Sequence, residues 1–335
     1  MIFITGGTGL VGSHILLKLS QGNIPFKSLK RKNSSLDICK NVFTYYQADH
    51  LFNSIIWETG DVNDIPSLEQ AMQDCDKVIH AAAMVSFNKE DAEQMNKINV
   101  EGTKNVMNLA ISMGIKKVSY ISSIAALGRN TSKQNTIDEG CYFKINDKES
   151  NYSLSKYYAE QEVWRASEEG VDVVISNPSV ILGPGDWTKG SSQIFQKIYN
   201  GLKFYTSGST GYVDVVDVAN CAILLLHSDI KNERFIVSGE NLKYRDLFDW
   251  IADGFGQKRA TIKITPLLKE IAWRFEYILS FLTGKKALIT RESANSAMRK
   301  SYYSTNKIHK ILGYKFTPIK DSIRKYCNWF SERID

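Results

Sequence analysis

Tyr152 and Lys156 stand four residues apart in Asn151-Tyr152-Ser153-Leu154-Ser155-Lys156, a spacing that puts both side chains on one face of a helix. An ammonium beside a phenol favours the phenolate and lowers the tyrosine pKa from about 10. Such a tyrosine can pass a proton to or from a substrate oxygen near neutral pH. A serine hydroxyl nearby would hydrogen-bond the same oxygen, and Ser122-Ser123 ends a predicted strand at Val118–Ser122. The spacing alone is not specific, because Tyr-x-x-x-Lys recurs at Tyr199/Lys203 and Tyr303/Lys307. Only Tyr152/Lys156 follows a serine-bearing strand and opens a long helix. Tyr199/Lys203 straddles Gly201 at a helix end, and Tyr303/Lys307 falls in a basic C-terminal region.

A second chemistry is written at the N-terminus. Thr5-Gly6-Gly7-Thr8-Gly9-Leu10-Val11-Gly12 follows the apolar run Ile2–Thr5 and precedes the helical pattern Leu10–Leu19. The first glycine permits a tight turn, the second lets the backbone approach phosphates, and the third lets helix and strand pack closely. The helix N-terminus then offers free N–H groups and a favourable dipole to an anion. Gly6, Thr8, Gly9, Leu10, Val11 and Gly12 are thus the expected cradle for a dinucleotide pyrophosphate. Gly7 and Gly12 also have the spacing of an ATPase phosphate loop, but Ser13 stands where that loop needs lysine. An NAD site usually carries an acidic residue about 20 residues on, holding the ribose 2′-hydroxyl. Here Leu29-Lys30-Arg31-Lys32 occupies that region, and cations attract a 2′-phosphate. NADP(H) is therefore the favoured cofactor, with Lys30 and Arg31 as its partners, and NAD(H) the second choice.

These residues need a scaffold whose strand ends converge. Predicted strands at Phe26–Leu29, Ile55–Glu58, Lys77–Ala81, Val118–Ser122 and Val171–Ser176 alternate with helices at Leu10–Leu19, Asn99–Met113 and Tyr152–Glu169. Strict alternation argues a parallel sheet covered on both faces, an α/β doubly wound sheet of the Rossmann type. Its carboxyl edge is where such sheets bind ligands, and Ser122-Ser123 ends a strand there. After Asn177 the pattern loosens. Tyr212–Val216 and Arg234–Val237 look like returns to the core, and the chain from about Leu242 is mostly helical. The expected division is a cofactor domain over 1–177 with a return segment at about 212–239. Residues 178–211 and 240–335 then form a smaller, mainly helical substrate lobe.

Bulk properties narrow the class. The 335 residues are 43% hydrophobic and 23% charged, an ordinary globular balance. Five scattered cysteines form no CxxC pair, which fits a reducing compartment and disfavours a zinc ribbon. No leader pattern precedes the glycine turn, so a cytoplasmic location is expected. Residues 258–335 hold 17 Lys and Arg against 6 Asp and Glu, read as a solvated helical face; nothing resembles a nucleic-acid motif. Leu267–Leu282 is the most apolar helix candidate but is interrupted by Lys269, Glu270, Arg274 and Glu276, too charged and short for an easy membrane span. His14, His50, His227 and His309 have no metal-ligand spacing, and His80 reads as part of the cofactor-side turn. Trp187 and Phe87 read equally as substrate-cleft walls or as ordinary core aromatics, and Asp214 and Asp217 are expected to cap or position the next helix.

Together these motifs resemble the extended short-chain dehydrogenase/reductase family. The resemblance also rests on Gly60-Asp61-Val62, His80-Ala81-Ala82-Ala83, Asn99-Val100-x-Gly102-Thr103 and Asn177-Pro178, and covers most of the chain. It implies that Asp61 and Val62 touch adenine and that Ala81, Ala82, Ala83 and Pro178 line the cofactor. It further implies that Asn99 supports the active site, that Ser123 rather than Ser122 is catalytic, and that Tyr152 and Lys156 also contact the cofactor. Within the family the chain is most similar to the dihydroflavonol-4-reductase-like group, itself similar to 3β-hydroxysteroid dehydrogenases. The hints are Lys30-Arg31, Tyr152-x-x-Ser155-Lys156-x-x-Ala159-Glu160 and Asn177-Pro178-Ser179-Val180-x-x-Gly183-Pro184. Sugar dehydratases of the family carry Asp-Glu after the catalytic Ser or Thr, where Ile124 and Ala125 stand here.

The expected activity is an NADP(H)-dependent interconversion of a small-molecule ketone and a secondary alcohol. Tyr152 is the proton donor, Ser123 polarises the oxygen and Lys156 tunes Tyr152. The rivals are an NAD-dependent nucleotide-sugar epimerase using the same residues and a non-catalytic dinucleotide sensor, which would need none of them. Relatives often pair through the helices at Asn99–Met113 and Tyr152–Glu169, so the resemblance allows a homodimer.

Overall fold

The structure is a computed structural model that describes residues 1–128, 136–145, 149–271, 273–274 and 291–333. Strands β1 (Ile2–Thr5), β2 (Phe26–Lys30), β3 (Ile56–Thr59), β4 (Lys77–His80), β5 (Lys117–Ile121), β6 (Asp172–Pro178) and a later strand, Glu233–Val237, form one seven-stranded sheet. Every pairing in it is parallel. The strand order runs Glu233–Val237, β6, β5, β4, β1, β2, β3. The order reverses between β1 and β4, and a crevice opens there at the carboxyl ends.

Alternation along the strands sorts the core into two layers. Ile2 and Ile4 point to one face, where α1 (Leu10–Gln21) packs through Ile15, Leu16 and Leu19. Phe3 points to the other face, with Val78, Val118, Tyr120 and Val173. That second face is covered by α2 (Gly102–Ser112) through Val106, Met107 and Ala110, and by α3 (Asn151–Glu168) through Ala159, Val163 and Ala166. Each large apolar side chain buried this way contributes about 1.5–3 kcal/mol. Helix α3 starts sharply because Ser150 caps it, its hydroxyl accepting the Ser153 N–H at 3.0 Å. Tyr152 therefore sits in the first turn.

Past Pro178 the chain leaves the main sheet. Strand β7 (Val180–Leu182) pairs in parallel with β8 (Ser209–Asp214), which pairs antiparallel with a strand at Glu240–Lys243. Tyr212 thus belongs to this smaller sheet, and Val215 already opens α4 (Val215–His227), which covers the α1 side of the main sheet. The main sheet is rejoined only at β9 (Glu233–Val237), which contains the Arg234–Val237 segment. The lobe around β7 and β8 has its own core, built from Leu182, Phe195, Tyr212, Leu247, Tyr326 and Phe330.

Asp214 both caps α4, accepting the Val216 N–H at 2.8 Å, and accepts the Ser322 and Tyr326 hydroxyls at 2.6 and 2.8 Å. Asp217 does not cap; it accepts from Tyr314 and Thr317. Three helices without a clear signal in the sequence, Asp37–Tyr45, Asp49–Phe52 and Ile65–Met72, lie in the segment between β2 and β4. Part of Leu267–Leu282 lies outside the described residues. Among the described residues no helix is long and apolar enough to cross a membrane.

Candidate active site

The glycine turn fills the crevice edge beside β1. Gly6 has φ +76°, and a Cβ there would sit 2.5 Å from the Ala81 carbonyl carbon. A Cβ on Gly12 would stand 2.1 Å from the Gly6 oxygen, so both positions need glycine for the protein itself to close. Gly9 differs: its nearest protein atom would be 3.4 Å away. Protein packing therefore does not demand glycine at this position, and space is left open at the start of α1. The first helical bond runs from Ser13 N–H to the Gly9 carbonyl at 2.9 Å. The N–H groups of Leu10, Val11 and Gly12 therefore have no acceptor within the helix. This donor set, next to half-buried Thr8, fits a pyrophosphate.

Beyond β2, Lys30 is half-buried while Arg31 and Lys32 are exposed. The Lys30 carbonyl accepts the Gly60 N–H at 3.0 Å, bringing the basic turn beside Gly60-Asp61-Val62. The Asp61 carboxylate accepts the Asn63 N–H at 2.9 Å, and Asn105 Nδ2 donates to the Val62 carbonyl at 2.9 Å. Val62 is buried under Gly102, where a Cβ would meet its Cγ2 at 2.7 Å.

A directed chain of hydrogen bonds joins the glycine turn to Asn99. The Ala82 N–H donates to Thr5 Oγ1 at 3.2 Å, and Thr5 Oγ1 lies 2.6 Å from His80 Nδ1. On the other side His80 Nε2 is 2.9 Å from Thr103 Oγ1, whose proton goes to the Asn99 carbonyl at 2.6 Å. Thr103 must therefore accept from Nε2–H, and Nδ1 must accept from Thr5. Burial pushes His80 down to about 3, with the Lys156 charge adding to the fall, so the ring is neutral. Ala81 and Ala82 follow half-buried and Ala83 exposed. Asn99 lies in a π-helical turn, Lys97–Glu101, that leads into α2. Its side chain accepts the Met84 N–H at 2.7 Å and donates to the Met84 carbonyl and to Ser155 Oγ at 2.9 and 3.0 Å.

The two serines after β5 divide. Ser122 Oγ donates to Glu160 Oε2 at 2.6 Å. Ser123 Oγ accepts the Ala125 N–H at 3.1 Å, and Ser123 lies near enough to the Tyr152 phenol to lower its pKa. Lys156 is buried, its Nζ donating to Tyr120 OH at 3.1 Å and to the Ile121 carbonyl at 2.9 Å. Burial pushes it down to about 8, opposed by the Glu160 charge. Tyr152 departs from the expectation of a lowered pKa. Burial raises it, and neighbouring Ser123 offsets only part of the rise. Lys156 is not among the groups that lower it; its ammonium donates instead to Tyr120 and the Ile121 carbonyl. Pro178, at the end of β6, is buried.

Phe87 meets Tyr152 edge-on, with centroids 5.9 Å apart, and is 41% exposed, so it borders the phenol. Trp187 does not; it stacks on Phe330 at 5.1 Å in the lobe core. Lys307 of the third Tyr-x-x-x-Lys pair is bonded to Glu233 and the Arg234 carbonyl. The sequence reading missed Tyr120 as the Lys156 partner, and missed Arg234, because neither lies near Lys156 in the chain. A cavity of about 840 Å³ opens on another face of α3, lined by Tyr142, Phe143, Tyr157, Trp164, Arg234 and Lys307 among others. It contains neither Ser123 nor Tyr152.

A family model described as the NAD dependent epimerase/dehydratase family matches residues 2–238. The chain belongs to this family. Membership makes it an NAD(P)-dependent enzyme acting on CH–OH or C=O groups. Among similar proteins is the "Putative dihydroflavonol 4-reductase" of Synechocystis sp., 29% identical over 98% of this chain and 94% of the relative. Cinnamoyl-CoA reductase 1 of Petunia hybrida is 30% identical, over 82% of this chain and 76% of its own. Among solved structures, UDP-glucose 4-epimerase of Thermotoga maritima with UDP-glucose superposes with a TM-score of 0.78 at 18% identity, over 100% of this chain and 99% of the other. That likeness bears on the fold alone.

Proposed function

We propose that the chain is an NADPH-dependent reductase that interconverts a ketone and a secondary alcohol on a small molecule. One arrangement carries the reading: Ser123 follows β5 at the carboxyl edge and lies near the Tyr152 phenol, and Lys156 stands one helical turn further along α3. The bound cofactor supplies the hydride to the carbonyl carbon. Ser123 donates a hydrogen bond to the carbonyl oxygen and orients it. Tyr152 delivers its phenolic proton to that oxygen as charge develops there. Lys156 supplies the positive charge that eases loss of that proton, and Asn99 holds the 84–99 and Ser155 segments around the pair. Lys30 and Arg31 hold the 2′-phosphate, Asp61 and Val62 the adenine, and Ala81–Ala83 and Pro178 the remaining cofactor wall. A sugar epimerase that retains NAD would favour an acidic residue where Lys30 stands.

Two experiments in sequence test this reading. Titration with NADPH and NADH is expected to show tighter, exchangeable binding of NADPH. A panel of carbonyl compounds with NADPH is then expected to give oxidation followed at 340 nm. Purified protein that retains NAD and interconverts nucleotide sugars would overturn it. Pairing of two copies through α2 and α3 is the companion proposal, read by light scattering. The five free cysteines support a cytoplasmic, reducing location, read by fractionation of the source cells.

A further inference from the structure

Tyr152, Lys156 and Glu160 follow one another at four-residue steps along α3. Glu160 is 1% exposed, and its carboxylate is fully engaged. Oε2 accepts the Ser122 hydroxyl at 2.6 Å and Asn177 Nδ2 at 2.8 Å, and Oε1 pairs with Arg234 Nη1 at 3.1 Å. Asn177 Nδ2 also donates to the Ser123 carbonyl at 3.0 Å. Arg234 in turn donates from Nε and Nη2 to the Glu139 carbonyl at 2.9 and 2.6 Å, and from Nη2 to the Cys141 carbonyl at 3.3 Å. One carboxylate thus ties α3 to the ends of β5 and β6 and, through Arg234, to β9 and the 139–141 segment.

We propose that Glu160 is a positioning residue: it holds the Ser122–Ser123 turn against α3 so that the Ser123 hydroxyl meets Tyr152, with Arg234 as its counter-ion. The inference rests on the reading of Ser123, Tyr152 and Lys156 as the reacting set. Binding Ser122 to Glu160 turns one hydroxyl of the pair inward, and the neighbouring serine is left to face the phenol. Asn177 fixes the backbone of that same serine. Glu160 also acts on the reacting set by charge. Lys156, whose other neighbours are Tyr120, the Ile121 carbonyl and neutral His80, is held higher by this carboxylate.

Glu160→Gln keeps the shape and removes the charge. It is measured in the full chain with NADPH and the best carbonyl compound of the panel. The expected result is kcat lower by about 10- to 100-fold, the cost of a misplaced reacting group, with NADPH affinity within a few-fold of wild type. The alkaline limb of the activity profile moves to lower pH, because Lys156 loses the charge that keeps it protonated. In cofactor-free protein, amide exchange over residues 117–128 becomes faster. A folded Glu160→Gln variant with wild-type kcat, exchange and alkaline limb overturns the proposal. If that variant does not fold, Glu160→Gln with Arg234→Gln, which removes both charges, is read in the same way. Tyr152→Phe is run alongside. An active Tyr152→Phe enzyme removes the catalytic reading itself, whereas an inactive one beside a wild-type-like Glu160→Gln removes only the positioning role.

Discussion

The Lys156 ammonium lies 4.7 Å from the centroid of the Tyr120 ring and 3.1 Å from its hydroxyl, joining α3 to the middle of the sheet. Both side chains are buried. This contact fixes where the positive charge of the site resides before any ligand arrives. Tyr120 also stacks on neutral His80, with centroids 5.4 Å apart, so the charge, the ring and the Thr5–His80–Thr103 chain form one packed unit.

Replacing Tyr152 with Phe removes the proton donor and leaves the ring that packs on Phe87. Turnover should fall by at least about 100-fold, the usual scale for a general acid, while NADPH affinity changes little. Parallel steady-state kinetics and fluorescence titration measure both. Turnover near wild type would remove Tyr152 from the chemistry.

Lys30→Glu with Arg31→Glu reverses the charge after β2. NADPH affinity should drop by about 10- to 100-fold, on the scale of the lost charge-assisted hydrogen bonds, with NADH affinity much less affected. Calorimetric titration with both cofactors reads the difference. Equal losses for the two would show that these cations do not contact a 2′-phosphate.

Gly12→Ala should abolish binding of either cofactor, because its Cβ has no room beside the Gly6 oxygen and the turn must open. Gly9→Ala is the informative partner. It should keep the melting temperature near wild type and still weaken cofactor binding, since only a docked group needs the space. Differential scanning fluorimetry with and without NADPH separates the two.

His14 is buried in α1 with Nδ1 2.8 Å from the Leu10 carbonyl. Burial first, opposed by that backbone hydrogen bond, pushes it down to about 4 from 6.5. Above pH 6.5 the folded and unfolded states both hold it neutral. As pH falls from 6.5 towards 4 the unfolded state takes up a proton that the folded state refuses, so stability declines with falling pH. The slope from this residue approaches about 1.4 kcal/mol per pH unit. His80, pushed down to about 3, adds in the same direction. Urea unfolding between pH 7 and 4 should show the decline, and His14→Gln should flatten it. An unchanged slope in that variant would rule out His14 as a contributor.

Much of this protein was legible along the chain because its signals are local. The glycine turn needs no distant partner to be recognised: a tight turn, a close approach and a helix start all lie within Gly6–Gly12. The four-residue step from Tyr152 to Lys156 is likewise a property of one helix, and the alternation of strands and helices along the first half pointed to a parallel sheet. What the tertiary structure alone decided are relationships between segments far apart in sequence. Ser122 and Ser123 are neighbours with the same hydroxyl, and the resemblance picked Ser123 without a physical reason; in the fold Glu160, 38 residues on, takes the Ser122 hydroxyl. The Lys156 partner is likewise set by the packing of α3 on β5, which brings Tyr120 to a charge that the spacing alone had paired with Tyr152. Local backbone preference writes a turn or a helix into adjacent residues, whereas the partner of a buried charge is chosen by whichever strands the fold stacks against it.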